Sequence, residues 1–131
     1  MIVVDTNVVA AFYLPGPHSL AAHSLRTQDP DWIAPWLWRS EFRNVLAGYL
    51  RRGALTFARA LAIQQEAEGL LAGAEYEVDS VRVLELVQAS RCTAYDCEFV
   101  ALAMAKGTRL VTLDRQVREA FPAHTSPLTS D

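Results

Sequence analysis

Met1-Ile2-Val3-Val4-Asp5-Thr6-Asn7 opens the chain, and its reading decides the fold. Ile2, Val3 and Val4 form a short, wholly apolar, β-branched run. Such a run predicts a strand buried on both faces, the kind found in the middle of a parallel sheet. Asp5 follows where that strand ends. A carboxylate there is costly unless a hydrogen bond, a cation or water satisfies it. Open α/β sheets bind ligands at the carboxyl ends of their strands, which makes Asp5 the first candidate functional residue. A plainer role competes with this one: Thr6 to Leu14 is predicted helical, and Asp is a favoured N-cap.

A second stretch has the same form. Arg109-Leu110-Val111-Thr112-Leu113 predicts another buried parallel strand, with Asp114 at its carboxyl end and a short helix from Arg115 to Phe121 beyond. Asp114, too, is placed to cap its helix. Just upstream, Thr93 is a plausible N-cap for a helix from Ala94 to Lys106, stopped by Gly107. Asp96 lies in its first turn on the core-facing side, before Phe99, Val100 and Ala103. Thr93-Ala94-Tyr95-Asp96 also has the form of a capping box, although Glu or Gln is usual at the last position.

Between these ends the chain reads as further helices and strands. His18 to Gln28 predicts a helix with Leu20, Ala21 and Leu25 inward, after the Pro15-Gly16-Pro17 break. His18 and His23 are five apart and do not share a helix face as a metal pair would. Trp32 to Ala34 predicts a strand ended by Pro35. A helix from about Trp36 to Arg52 carries the stripe Trp38, Phe42, Val45, Leu46 and Tyr49, and Glu41 borders it. Glu is rarely buried without a partner, so this position asks for a cation or an Arg. Trp36 and Leu37 lie off the stripe, as a candidate exposed patch for dimerisation or partner docking. A second long helix, Phe57 to Ala72, is expected to form a hairpin with the first; it carries Leu61, Ala62, Gln65, Leu70 and Leu71, with Glu66 and Glu68 solvated. Tyr76 to Val78 predicts an edge strand. Ser80 caps a predicted helix from Val81 to Ala89, with Val83, Leu84 and Val87 inward.

Composition bounds the class. At 131 residues the chain is expected to form one domain with a substantial core. An apolar fraction of 51% and a charged fraction of 21% mark it as globular rather than disordered. No stretch approaches the roughly 18 apolar residues of a membrane span, and no basic region precedes the N-terminal apolar residues as in a secretory signal. Cys92 and Cys97 have no nearby histidine and read as small apolar fillers, so the cytoplasm is the expected location. The formal net charge of −3 does not fit a protein that coats DNA. The basic residues are nonetheless almost all Arg, with Lys106 the only lysine. Arg suits phosphate recognition because its planar fork bonds two oxygens. Arg39, Arg43 and Arg115 are the candidate substrate contacts, against the plainer reading of solvated helix faces.

Four acids thus reach similar addresses. If the sheet is parallel, the strand ends and the helix N-termini that follow them share one edge. Carboxylates gathered there repel one another, and a divalent cation relieves that repulsion. Ligation by oxygen alone favours Mg²⁺ or Mn²⁺ over zinc.

The same residues carry a family resemblance. Val3-Val4-Asp5-Thr6-Asn7, Ser40-Glu41, Tyr95-Asp96 with Val100-Ala101-Leu102-Ala103, and Leu110-Val111-Thr112-Leu113-Asp114 occur in the order and spacing of a PIN-domain ribonuclease. The chain most closely resembles the VapC-type toxins of bacterial toxin–antitoxin pairs, over nearly its full length. The resemblance implies a PIN-like three-layer α/β/α sandwich with a central, mostly parallel sheet flanked by helices. It implies a metal site built from Asp5, Glu41, Asp96 and Asp114, with Thr6, Asn7, Ser40 and Thr112 supporting it. It implies Mg²⁺- or Mn²⁺-dependent hydrolysis of RNA, a small antitoxin protein as partner, and a homodimer. Some relatives have a further acid shortly after the last Asp, where this chain has Arg115 and Gln116; a second metal position is in question for that reason.

Three other readings compete. A receiver domain wants paired acids after the first strand and a Lys after a late one, and neither is present. A nucleotide-binding Rossmann domain wants a Gly-rich turn after the first strand, and Asp5-Thr6-Asn7 has no glycine. The strongest competitor is a PIN-like module that binds RNA or protein without cutting. Such degenerate members are expected to lose acids, whereas all four are present here.

Overall fold

The computed structural model describes residues 1–129. Ile2–Val4 form β1, with each residue at most 1% exposed, as an all-apolar β-branched run in a sheet centre requires. β1 pairs in parallel with β2 (Trp32–Pro35) on one side and with β4 (Leu110–Thr112) on the other. β3 (Glu75–Tyr76) extends the sheet beyond β2, and β5 (Thr125–Pro127) extends it beyond β4. The order is β3-β2-β1-β4-β5, and every pairing is parallel. Helices cover both faces and complete the PIN-like α/β/α sandwich. On one side α1 (Thr6–Tyr13), α2 (Ser19–Gln28), α3 (Trp38–Arg51) and α4 (Phe57–Leu70) pack together. On the other, α5 (Ser80–Gln88) packs on α6 (Ala94–Ala105), and α6 lies across β1, β2 and β4. The short α7 (Arg115–Ala120) sits against β4 and β5. Among the described residues no helix is long and apolar enough to cross a membrane.

Several local expectations are corrected. β5 is not foreseen by the sequence reading, because Thr125-Ser126-Pro127 lacks the apolar run of an interior strand. It is an edge strand, the one sheet position that tolerates proline. Pro35 is the last residue of β2 rather than the first beyond it: its neighbours Ala34 and Trp36 donate to Ala74 and Tyr76, so its missing N–H interrupts neither bond. β3 is Glu75–Tyr76, one residue earlier and shorter than expected. The N-cap of α5 is Asp79, whose side chain accepts from the Val81 amide, rather than Ser80.

Three helices turn inward a different face from the one their apolar residues suggest. α4 buries Ala60, Ile63, Gln64 and Ala67 and leaves Leu61 44% exposed. α5 buries Val83 and Leu86 and leaves Leu84 63% exposed. In α2 the inward residues are Ala21 and Ala22, and Leu20 points to solvent. Each of these helices has apolar residues on more than one face, so apolar spacing alone does not fix which face turns inward. Glu68 is not solvated either: with Glu75 it holds Arg39.

Candidate active site

Register brings the two strand-end acids together. Val3 is level with Leu110 and Val4 with Val111, and the Asp5 amide donates to the Val111 carbonyl at 3.0 Å. Asp5 therefore stands beside Thr112, and the fully buried Thr112 hydroxyl donates to Asp5 Oδ2 at 2.6 Å. The Thr6 amide donates to Asp5 Oδ1 at 2.7 Å, which makes Asp5 the N-cap of α1. Asn7 ties the same strand ends: its Nδ2 lies 3.4 Å from both Asp5 Oδ2 and Thr112 Oγ1, and its Oδ1 accepts from the Leu113 amide at 3.1 Å. The Asp114 amide donates to Thr112 Oγ1 at 2.9 Å, and Asp114 Oδ1 caps α7 by accepting from Val117 at 3.2 Å. Thr112 is thus hydrogen-bonded to both strand-end residues.

Glu41 and Asp96 arrive on helices. α3 buries Trp38, Phe42 and Leu46, and that stripe turns the adjacent Glu41 towards β1. The buried Thr6 hydroxyl donates to Glu41 Oε1 at 2.7 Å. α6 is apolar on all sides and buries Cys97 and every residue from Phe99 to Ala103, as expected of a helix enclosed by other elements. Its N-terminus presents Asp96 in a full capping box with Thr93. The capping readings of Asp5, Asp96 and Asp114 therefore hold, and the same three carboxylates also line a cleft.

That cleft, about 580 Å³, is lined by Asp5, Glu41, Asp96 and Asp114, with Thr6, Asn7 and Ser40. Leu37, Asn44, Val45 and Tyr95 complete its wall. Of these, Asn44 carried a signal the sequence reading passed over, since it lies one turn after Glu41 on the same helix face. Among the described residues none of the four acids forms an ion pair with Lys or Arg. The consequence is visible at Asp5, whose carboxyl is pushed up to about 6, first by burial and then by the charges of Glu41 and Asp96. The hydrogen bonds from Thr112 and Thr6 oppose that rise. Burial, followed by the charge of Asp96, also raises Glu41. Glu98, two residues beyond Asp96, was not singled out from sequence; burial and then the charge of Glu41 raise it as well.

The donor set suits a hard divalent cation: it is all oxygen, partly desolvated and short of positive charge. Among the described residues no three side chains stand together as a ready metal cage. Three of the four acids have an oxygen committed to a helix cap, Asp5 Oδ1 to Thr6, Asp96 Oδ2 to Thr93 and Asp114 Oδ1 to Val117.

The candidate substrate arginines fare differently. Arg39 is a correction: its guanidinium is clamped by Glu75 at 2.6 and 2.8 Å and by Glu68 at 3.0 Å, so its fork is already filled. Arg115 is exposed and pairs with Glu119 at 2.9 Å. Arg43 is exposed with no acid partner among the described residues. Arg118 donates to the Thr112 carbonyl at 2.9 Å and brings a guanidinium to the end of β4. Trp36 and Leu37 do not form one patch: Leu37 lines the cleft, while Trp36 faces a neighbouring groove.

Comparison with known proteins agrees with this architecture. Ribonuclease VapC3 of Pyrobaculum aerophilum is 33% identical over 139 aligned positions, spanning 96% of this chain and 98% of that protein. The crystal structure of PAE2754 from the same organism superposes with a TM-score of 0.76 at 21% identity, covering 97% of this chain and 90% of that one. FitAcB from Neisseria gonorrhoeae superposes with a TM-score of 0.75 at 18% identity, covering 99% and 98%. FitAB bound to an IR36 DNA fragment gives a TM-score of 0.72 at 18% identity, covering 97% and 94%. Residues 2–121 match the family model described as PIN domain. The chain belongs to the PIN domain family.

Proposed function

We propose that the protein is a Mg²⁺- or Mn²⁺-dependent endoribonuclease and the toxin of a VapBC-type pair. One observation carries the reading: four carboxylates line one cleft and, among the described residues, none of them pairs with Lys or Arg. Its similarity to Ribonuclease VapC3 supports RNA as substrate and a toxin role. The similarity in fold to FitAcB and to FitAB bound to an IR36 DNA fragment is in keeping with a small antitoxin partner here. A homodimer and a cytoplasmic location belong to the same proposal.

Asp5, Asp96 and Asp114 would hold the cation, with Glu41 as a further ligand or as the group that orients the attacking water. When bound, such an ion supplies an activated water and neutralises charge on the phosphate. The chain's own groups do the rest. Thr112 and Thr6 fix the Asp5 carboxylate, so that its orientation is set before substrate arrives. The Thr6 hydroxyl holds Glu41, and the elevated Glu41 carboxylate is placed to take a proton from the nucleophile. Asn7 locks the ends of β1 and β4 together. Arg43, without an acid partner, is the candidate contact for RNA phosphates, with Arg115 beside the last acid.

Cleavage of total RNA in Mn²⁺ tests this reading. Asp96→Asn keeps the shape and removes the charge, and it is expected to lower cleavage about 10³-fold, within the usual range for loss of a group that acts in the reaction. Full activity in that variant, or cleavage in excess chelator, refutes the assignment. RNA binding without any cleavage by the parent would identify a non-catalytic RNA-binding PIN module.

A further inference from the structure

A second groove, of about 550 Å³, lies beside the cleft and is lined by Trp36, Tyr76, Glu77, Val78, Ser80 and Glu98. The chain itself joins the two: Leu37 lines the cleft and Trp36 the groove, and Asp96 lines the cleft while Glu98 lines the groove. Trp36 is 49% exposed, but its ring is held in place. The Arg39 guanidinium lies 5.0 Å from the ring centroid, and Glu75 and Glu68 fix that guanidinium in turn. The result is a braced aromatic face open to solvent. Glu98 is half-buried and pairs with no Arg or Lys among the described residues.

Single-stranded RNA is recognised by stacking splayed bases on aromatic side chains and by hydrogen bonds to their Watson–Crick edges. An ionised carboxylate only accepts hydrogen bonds, so it favours a base edge made of donors. Guanine has two adjacent donors there, N1–H and N2–H, whereas adenine, cytosine and uracil each set a single donor beside acceptors. The groove's charged lining is Glu77 and Glu98; Arg39 and Lys106 lie against the Trp36 and Tyr76 rings, and Arg39 is already paired with Glu75 and Glu68. That lining repels a phosphate but accepts a neutral base. We propose that the groove takes one unpaired guanine of the RNA, stacked on Trp36 with N1–H and N2–H donating to the Glu98 carboxylate, beside the cleft. The proposal rests on the ribonuclease reading above and adds a base preference to it.

The test is binding, measured in EDTA so that no cutting occurs, with tryptophan fluorescence as the readout. Short oligouridylate RNAs carrying one central guanine, one central adenine or uridine alone are compared. The guanine RNA is expected to bind about tenfold more tightly than the other two, as one bidentate base contact allows. Glu98→Gln should shrink that preference to about twofold or less, because the amide no longer offers two acceptors. Trp36→Ala, followed by anisotropy of labelled RNA, should weaken all three about tenfold through lost stacking. Equal affinities in the parent, or a preference that survives Glu98→Gln, would overturn the proposal. So would sedimentation showing an oligomer that Trp36→Ala dissociates, because a second copy would then cover the groove. Mn²⁺-dependent cleavage with no guanine preference overturns the groove alone; a guanine preference without cleavage overturns the ribonuclease reading alone.

Discussion

Two groups of acids flank the first turn of α3, and the protein treats them in opposite ways. Glu75, whose side chain is 2% exposed, and Glu68 share the Arg39 guanidinium. The indole of Trp38 donates to Glu75 at 2.8 Å, and Gln64 donates to Glu68 at 2.9 Å. This charge is neutralised internally and ties α3 to α4 and β3. Two residues along the same helix, Glu41 faces Asp5, Asp96 and Asp114 with only hydroxyl and amide donors for company. Burial and mutual repulsion raise the carboxyls of Asp5 and Glu41. A compensated cluster holds a fold together; an uncompensated one keeps a cost that only something from outside can relieve.

Removing the compensation is the most direct way to break this contrast. Arg39→Met keeps the side-chain length and strands Glu75 in the interior. Leaving one partner of a buried pair unmatched is expected to cost about 3 kcal/mol in urea unfolding. A loss under about 1 kcal/mol, the scale of a surface pair, would show that the Arg39 cluster is no more structural than the cleft.

The cleft should behave in the opposite sense, and pH reads it. Folded Asp5 holds its proton up to about 6, against an ordinary value of 3.8. The folded state therefore binds more protons than the unfolded chain between those values, and stability falls as pH rises through them. The protonated carboxyl's advantage is fully present below 3.8 and is lost by about 6. In EDTA, Asp5→Asn should lack that decline and gain roughly 2 kcal/mol on the parent between pH 4 and 7, a value discounted for the partial exposure of Asp5. Parallel stability profiles for the two proteins would mean that Asp5 carries no such cost.

A smaller effect sharpens the picture of how the cleft is held. Thr112→Val nearly conserves volume but removes the donor to Asp5 and the acceptor for Asp114. It is expected to cost about 1.5 kcal/mol in thermal or urea unfolding. A neutral effect would show that the strand ends do not depend on this hydroxyl.

The contrast also marks what could be read in the sequence. β1 and β4 were legible because a fully buried strand needs an unbroken apolar run. The addresses of Asp5 and Asp114 follow from where those runs stop, and Asp96 and Glu41 follow from apolar spacing on their helices. The Arg39–Glu75–Glu68 cluster was not legible. It joins residues up to 36 apart in the chain, and no local period encodes such a pairing. Arg39 was therefore read as a phosphate contact and Glu68 as a solvated charge. β5 escaped because its partner β4 supplies what its own Thr-Ser-Pro composition lacks. The facing sides of α4 and α5 escaped because apolar residues on several faces make the phase depend on packing.

The central proposal is that the four cleft acids form a site for a divalent cation. Thermal melts of the parent and of Asp5→Asn in EDTA, Mg²⁺ and Mn²⁺ test it without any RNA. At free Mn²⁺ about 100 times its dissociation constant, the parent should gain roughly 2.7 kcal/mol of stability, because the unfolded chain no longer assembles the site. Asp5→Asn should gain clearly less while matching or exceeding the parent's stability in EDTA. A melting temperature of the parent that Mn²⁺ does not move, or an equal shift in both proteins, would contradict the account.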